Sequence, residues 1–105
     1  MTEAYCTVAD VKELLRIAAD NSLSDVEIER CITSADRYLR IEAEAAGLAI
    51  PDVVPEAVEE ASKNLAAWFF RRRADPPSQD QPLFDLGMSF FEKWAGSQGP
   101  YVGLA

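Results

Sequence analysis

Histidine is absent from this 105-residue chain. That absence removes the usual general base near neutral pH, the commonest zinc ligand, and every Ser-His or Cys-His nucleophile arrangement. Glycine is scarce, and its five copies stand singly at positions 47, 87, 96, 99 and 103, so there is no glycine-rich phosphate loop. The two cysteines, Cys6 and Cys31, have no metal-type spacing and no accompanying secretory signal, and they read as reduced, buried thiols. No stretch approaches the roughly 20 apolar residues needed to span a membrane. The polar start Met1-Thr2-Glu3-Ala4 does not resemble a targeting peptide, so the expectation is a soluble, intracellular product. Strand-like alternation and internal repeats are missing too. No catalytic, cofactor-binding or metal-binding set emerges, and the expected protein is not an enzyme.

Basic charge is in short supply. Ten Lys and Arg face 18 Asp and Glu, for a net charge of -8, which repels a phosphate backbone unless the basic residues cluster. Residues 1–60 carry a net -9 and residues 61–105 a net +1, so unlike halves suit head-to-tail contact. The composition, 49% hydrophobic and 27% charged, is that of one globular domain rather than a disordered chain.

What the sequence does have is helical periodicity. Thr7 and Asp10 resemble a capping box ahead of Val8, Val11, Leu14, Leu15 and Ala18, giving a first helix over about 8–19. Ser24 and Glu27 form a second capping-box pattern. Ile28, Cys31, Ile32, Ala35, Leu39 and Ala43 then keep the helical period to a C-cap at Gly47, giving helix two over 25–46. Pro55 suits the first turn of helix three, about 55–73, with Val58, Ala61, Leu65, Trp68 and Phe69 as its inner stripe. Asp75-Pro76-Pro77-Ser78 stops that helix, and an aromatic amphipathic segment runs from Leu83 to Ala95. The fold class is therefore all-α: a small bundle on a long antiparallel helical hairpin, with a short N-terminal helix and a C-terminal aromatic helix. Residues 1–95 form the single domain, and the uncharged tail 96–105 is expected to be flexible.

Several side chains invite a functional reading. Glu42 falls within the apolar stripe of helix two, where it is either a buried acid or an edge glutamate reaching solvent or a neighbour. Arg71-Arg72-Arg73 is the only basic run; it can complement the dipole at the end of helix three or meet phosphate. Arg72 lies on the hairpin-facing stripe, which predicts an ion pair with Asp25 or Glu29, within the chain or with a neighbour. Phe70 lies opposite the inner stripe and is expected to be exposed. In the last segment Leu83, Leu86, Phe90 and Trp94 make one stripe, while Phe84, Met88 and Phe91 make a second. A helix apolar on two sides wants two partners. Phe70, Arg71, Arg72, Arg73, Phe84, Met88, Phe91 and Trp94 are therefore the candidate contacts with another subunit or partner. Glu59 and Lys63 read as a surface i,i+4 pair.

The run Tyr5, Thr7-Val8-Ala9-Asp10-Val11-Lys12, Leu14-Leu15 resembles the start of the head–tail connector (adaptor, or head-completion) proteins of long-tailed phages and prophages. The likeness continues through Ser24-Asp25-Val26-Glu27-Ile28-Glu29, Ile32, Ala35 and Leu39. It then takes in Pro55-Glu56-Ala57-Val58, Ala61, Leu65-Ala66-Ala67 and Phe70 to Arg73, covering roughly residues 5–73. The resemblance implies a structural virion protein, made in the host cytoplasm and resident in the virion neck. Its subunits would form a homo-oligomeric ring between the portal and the neck or tail proteins. DNA would pass through the channel without specific binding, and no catalysis or membrane is involved. Relatives end in a leucine-rich segment closing on Pro-Tyr-Arg. Here Trp94, a glycine-rich stretch and Pro100-Tyr101-Val102 stand instead, which leaves the portal-docking role of the C-terminus open.

Two other classes compete. A small helical nucleic-acid-binding, regulatory or DNA-packaging protein would use Arg71–Arg73 with Lys63. An enzyme working with carboxylates alone would need two or more of Glu42, Glu56, Glu59 and Glu60 in one pocket, which the helix periodicity does not bring together.

Overall fold

The computed structural model describes residues 4–72 and 81–98, and within them the chain forms four helices and no strand. They are α1 (Val8–Leu15), α2 (Asp25–Ala45), α3 (Glu56–Arg72) and α4 (Gln81–Gly96). α2 and α3 form the hairpin, α1 lies against both, and α4 packs along α3. The all-α bundle predicted from periodicity is the observed fold.

Helix α1 begins as its sequence dictates. The Thr7 hydroxyl accepts from the Asp10 amide at 3.1 Å, and the Asp10 carboxylate accepts from the Thr7 amide at 3.2 Å, a reciprocal capping box. The helix ends at Leu15, earlier than expected. Arg16 turns into the left-handed region with φ 63°, and the Ile17 amide donates back to the Lys12 carbonyl at 2.8 Å. That is a Schellman-type ending with a non-glycine residue in the strained position. Ala18 therefore lies outside the helix. Lys12 is buried, and its ammonium reaches both the Ala19 carbonyl and the Asp25 carboxylate at 3.0 Å, tying the exit of α1 to the start of α2.

The expected Ser24 capping box does not form. Ser24 has φ −104° and ψ 6°, away from the extended conformation that aims an N-cap side chain at the first turn, and no side-chain cap bond is made. Its carbonyl accepts instead from the Ile28 amide at 2.9 Å. At the other end Gly47, with φ 77°, donates to Glu44 while the Leu48 amide donates to Ala43, the complete Schellman pattern that Gly47 predicts.

Helix α3 is the centre of the molecule. Val58, Ala61, Ser62, Asn64, Leu65, Ala66 and Ala67 are all buried, well beyond one stripe. The reason is α4, which covers the side of α3 that the hairpin leaves open. Gly87 sits in the middle of that seam: a Cβ there would lie 3.1 Å from Leu65 Cγ and 3.2 Å from the Ala61 carbonyl oxygen. The glycine lets the two helix backbones approach closely.

Candidate functional site

The polar chemistry of the interior is concentrated where the N-terminal segment crosses α2 and α3. Asp36 projects from α2 between Ala35 and Leu39 and is buried. Its carboxylate accepts from the Tyr5 amide at 2.9 Å and from the Ser62 hydroxyl of α3 at 2.6 Å. The Ser62 hydroxyl also lies 3.3 Å from the Cys6 thiol. Burial pushes the Asp36 carboxyl above the usual carboxylate range, opposed by the Ser62 and Tyr5 hydrogen bonds. Burial also pushes the Cys6 thiol up to about 12, with the charges of Asp36, Asp10 and Glu59 adding to it against the Ser62 bond. A thiol held protonated in this way is a poor nucleophile. The arrangement staples three parts of the chain and has no open approach for a substrate.

This network was readable in part. Asp36 stands among Ile32, Ala35 and Leu39 on the apolar side of α2, a stronger sign of a buried acid than the position of Glu42. Glu42 is half-buried at the edge of the stripe, where it meets Tyr38. Cys6 and Cys31 are both buried and not joined in a disulfide. Among the described residues no group of three or more potential metal ligands comes together. No helix among them is long and apolar enough to cross a membrane.

The residues predicted to meet a partner are sorted by α4. Phe91 and Trp94 are buried in the chain's own core, with ring centroids 5.7 Å apart. Phe84 is half-buried, 4.9 Å from the Trp68 ring and 6.1 Å from that of Tyr38, and Met88 is half-buried beside the core. These four side chains face α2 and α3. Trp94 packs on Phe91 and also lines a surface depression with Phe90, so it joins the two stripes. The two stripes are the flanks of one broad apolar face whose middle is Gly87. Its outer margin, Leu83, Leu86 and Phe90, is incompletely covered, and Leu86 is 48% exposed.

Phe70 is packed partly against the core rather than exposed, because α3 has neighbours on most sides. Arg71 and Arg72 are exposed; Arg73 lies outside the described residues, as do the Asp75–Ser78 stop and residues 99–105 of the tail. The intrachain pair of Arg72 with Asp25 or Glu29 is not formed. The Arg72 guanidinium lies 4.5 Å from the Trp68 ring centroid, and Asp25 is taken by Lys12. Lys63 pairs at 3.0 Å with Glu60, one turn below it, and not with Glu59.

The depressions on the surface of the described residues include two of note. One, of about 710 Å³, lies between the N-terminal segment, the end of α2 and the loop after it, lined among others by Tyr5, Arg40, Leu48, Ile50 and Val54. The other, about 440 Å³, lies between the start of α3 and the end of α4 and includes Phe90 and Trp94. The second, against the sequence expectation, does bring two of the candidate carboxylates together: Glu56 and Glu60, one turn apart on α3, both line it, with Lys93 beside them and without Glu42 or Glu59. Comparison with known proteins found no matching family model, no similar curated protein and no similar solved structure.

Proposed function

We propose that this chain is a structural subunit of a phage head–tail connector, forming a ring between portal and tail that extends the DNA channel. The observation that carries the reading is the incompletely covered apolar margin of α4, Leu83, Leu86 and Phe90, on a helical chain whose buried Asp36–Ser62–Cys6 network staples the fold. Such a margin fits a subunit that completes its burial by assembly. The short α1 followed by a long hairpin has the order and helix lengths that the sequence resemblance implies, and the net charge of -8 suits a channel through which DNA slides without sticking. The rival nucleic-acid role has less to work with, since Lys63 is paired with Glu60 and Arg72 is stacked on Trp68.

The test is light scattering behind gel filtration across a concentration series, alone and with a cognate portal ring. A defined ring in either setting is expected. Leu86→Asp should abolish it while leaving helicity unchanged and the melting temperature within about 4 °C, because the side chain is half exposed. A monomer that ignores the portal yet shifts a DNA duplex at low salt overturns the proposal in favour of a regulatory role.

A further inference from the structure

The side of α2 that points away from α3 carries Val26, Arg30, Arg37 and Ile41 in one line, with the small Thr33 and Ser34 between them. All six are exposed; Val26 is 63% and Ile41 56% accessible. α2 has 21 residues and spans roughly 30 Å, so this is a long face with nothing packed on it among the described residues. Arg40 flanks the line, its guanidinium 5.9 Å from the Tyr5 ring centroid. Acids touch the face only at its margins. Glu27 lies 3.9 Å from Arg30 in a loose pair, the exposed Glu29 borders the line on the same flank as Arg40, and Glu44 follows near the C-terminal end. The face is therefore apolar at both ends and basic in the middle, although α2 as a whole is acidic.

The opposite character appears along the seam of α1 and α3. Lys63 of α3 is bonded to Glu60 at 3.0 Å, and the charges of Asp10 and Glu13 of α1 further hold its ammonium above the usual lysine range. Three acids thus bear on one already neutralised lysine, and Glu59 acts with Asp10 on the neighbouring Cys6. Glu13 and Glu59 are exposed.

We infer that the α2 face, Val26-Arg30-Arg37-Ile41, docks on the acidic α1–α3 seam, Asp10-Glu13-Glu59, of a second copy of this chain. The two surfaces are unlike, so the contact is head-to-tail, and repetition closes into a ring when the rotation permits. Charge complementarity selects this occupant: a surface that is acidic around its own α1–α3 seam matches the basic line on α2 better than any apolar partner would. The inference rests on the ring reading and adds a charged contact to the α4 margin that assembly is proposed to cover.

Disulfide trapping reads the contact even where association is weak. Arg37→Cys and Glu59→Cys proteins are prepared separately, with circular dichroism to verify folding; the native Cys6 and Cys31 are buried and contribute little background. The mixed pair should cross-link roughly tenfold faster than either protein alone, or than Arg37→Cys mixed with Gln98→Cys, and lose that preference near about 1 M NaCl. Equal rates in all pairings overturn the inference. If light scattering then still finds a ring, only the choice of faces has failed; if it finds a monomer with and without the portal, the ring reading has failed with it. Duplex binding by the wild type at low salt that is abolished in Arg30→Glu/Arg37→Glu would assign the line to nucleic acid and equally overturn the inference.

Discussion

Asp36 places a carboxyl where helix periodicity calls for an apolar side chain, and its surroundings set how the protein responds to pH. Burial raises its folded pKa above the 3.8 of a free aspartate, so between those values the folded state holds more protons than the unfolded one. The stability this contributes is present in full below about pH 3.8 and is lost as pH rises through the folded pKa. Asp36→Asn removes the titration, and the Ser62 hydroxyl can turn to accept from the new amide. Denaturant melts across pH 3.5 to 7, a range of roughly three units around the carboxylate values, should show the wild type losing stability relative to Asp36→Asn as pH rises. Parallel curves would mean that Asp36 is not the buried titrating group. Ser62 matters here because it is the one side chain that donates to Asp36, while Cys6 beside it is only a weak partner for the serine.

At the scale of the element, α4 depends on what Gly87 lacks. Alanine would gain about 1 kcal/mol in helix propensity. Its Cβ, however, would press on the Ala61 carbonyl, a backbone atom that cannot swing aside, and on Leu65. Overpacking of this kind costs about 1–3 kcal/mol. Gly87→Ala should therefore lower stability, by about 1 kcal/mol in thermal or denaturant melts, whereas a mid-helix glycine in open space would give the reverse sign. The same glycine explains where sequence reasoning fell short. Helix existence, order and most boundaries were legible, because Thr7, Gly47 and the periodic apolar residues act locally. The sides of α4 were not, since a residue without a side chain leaves no hydrophobic signal at the centre of its own packing face, so one broad face looked like two. Phe70 was misjudged because a wheel drawn for α3 alone does not include the helix that later covers it. Ser24 shows a third limit: the capping pattern was present, but backbone geometry set by the Asn21–Ser22 turn kept the hydroxyl from using it. Of the candidate interface, the exposed position of Arg71 and the apolar excess of α4 were readable, while the basic line on α2 was hidden within a helix that is acidic overall.

The described residues form a plate, 46 × 31 × 17 Å, with a radius of gyration of 14.0 Å. A thin shape gives each helix more surface than a sphere would, and that surface carries a net charge of -8. Two copies then repel at long range while their proposed contact faces attract at short range. Salt weakens the first before the second, because the Debye length falls to about 10 Å at 0.1 M. The association constant, measured by sedimentation equilibrium, should therefore rise with NaCl to a maximum in the range of about 0.1–0.3 M and then fall. A steady rise with no maximum would leave apolar contact alone to account for assembly, without the complementary faces. The buried staple also has a meaning in time. The Tyr5 amide leaves a ribosome 31 residues ahead of the carboxylate it will bond, and Cys6 leaves 56 residues ahead of Ser62. At bacterial or eukaryotic speeds that interval lasts roughly 3–11 s. For those seconds Cys6 is an ordinary thiol, open to oxidation and modification, and the nascent chain is the one stage of the protein's life at which its cysteine chemistry lies within reach.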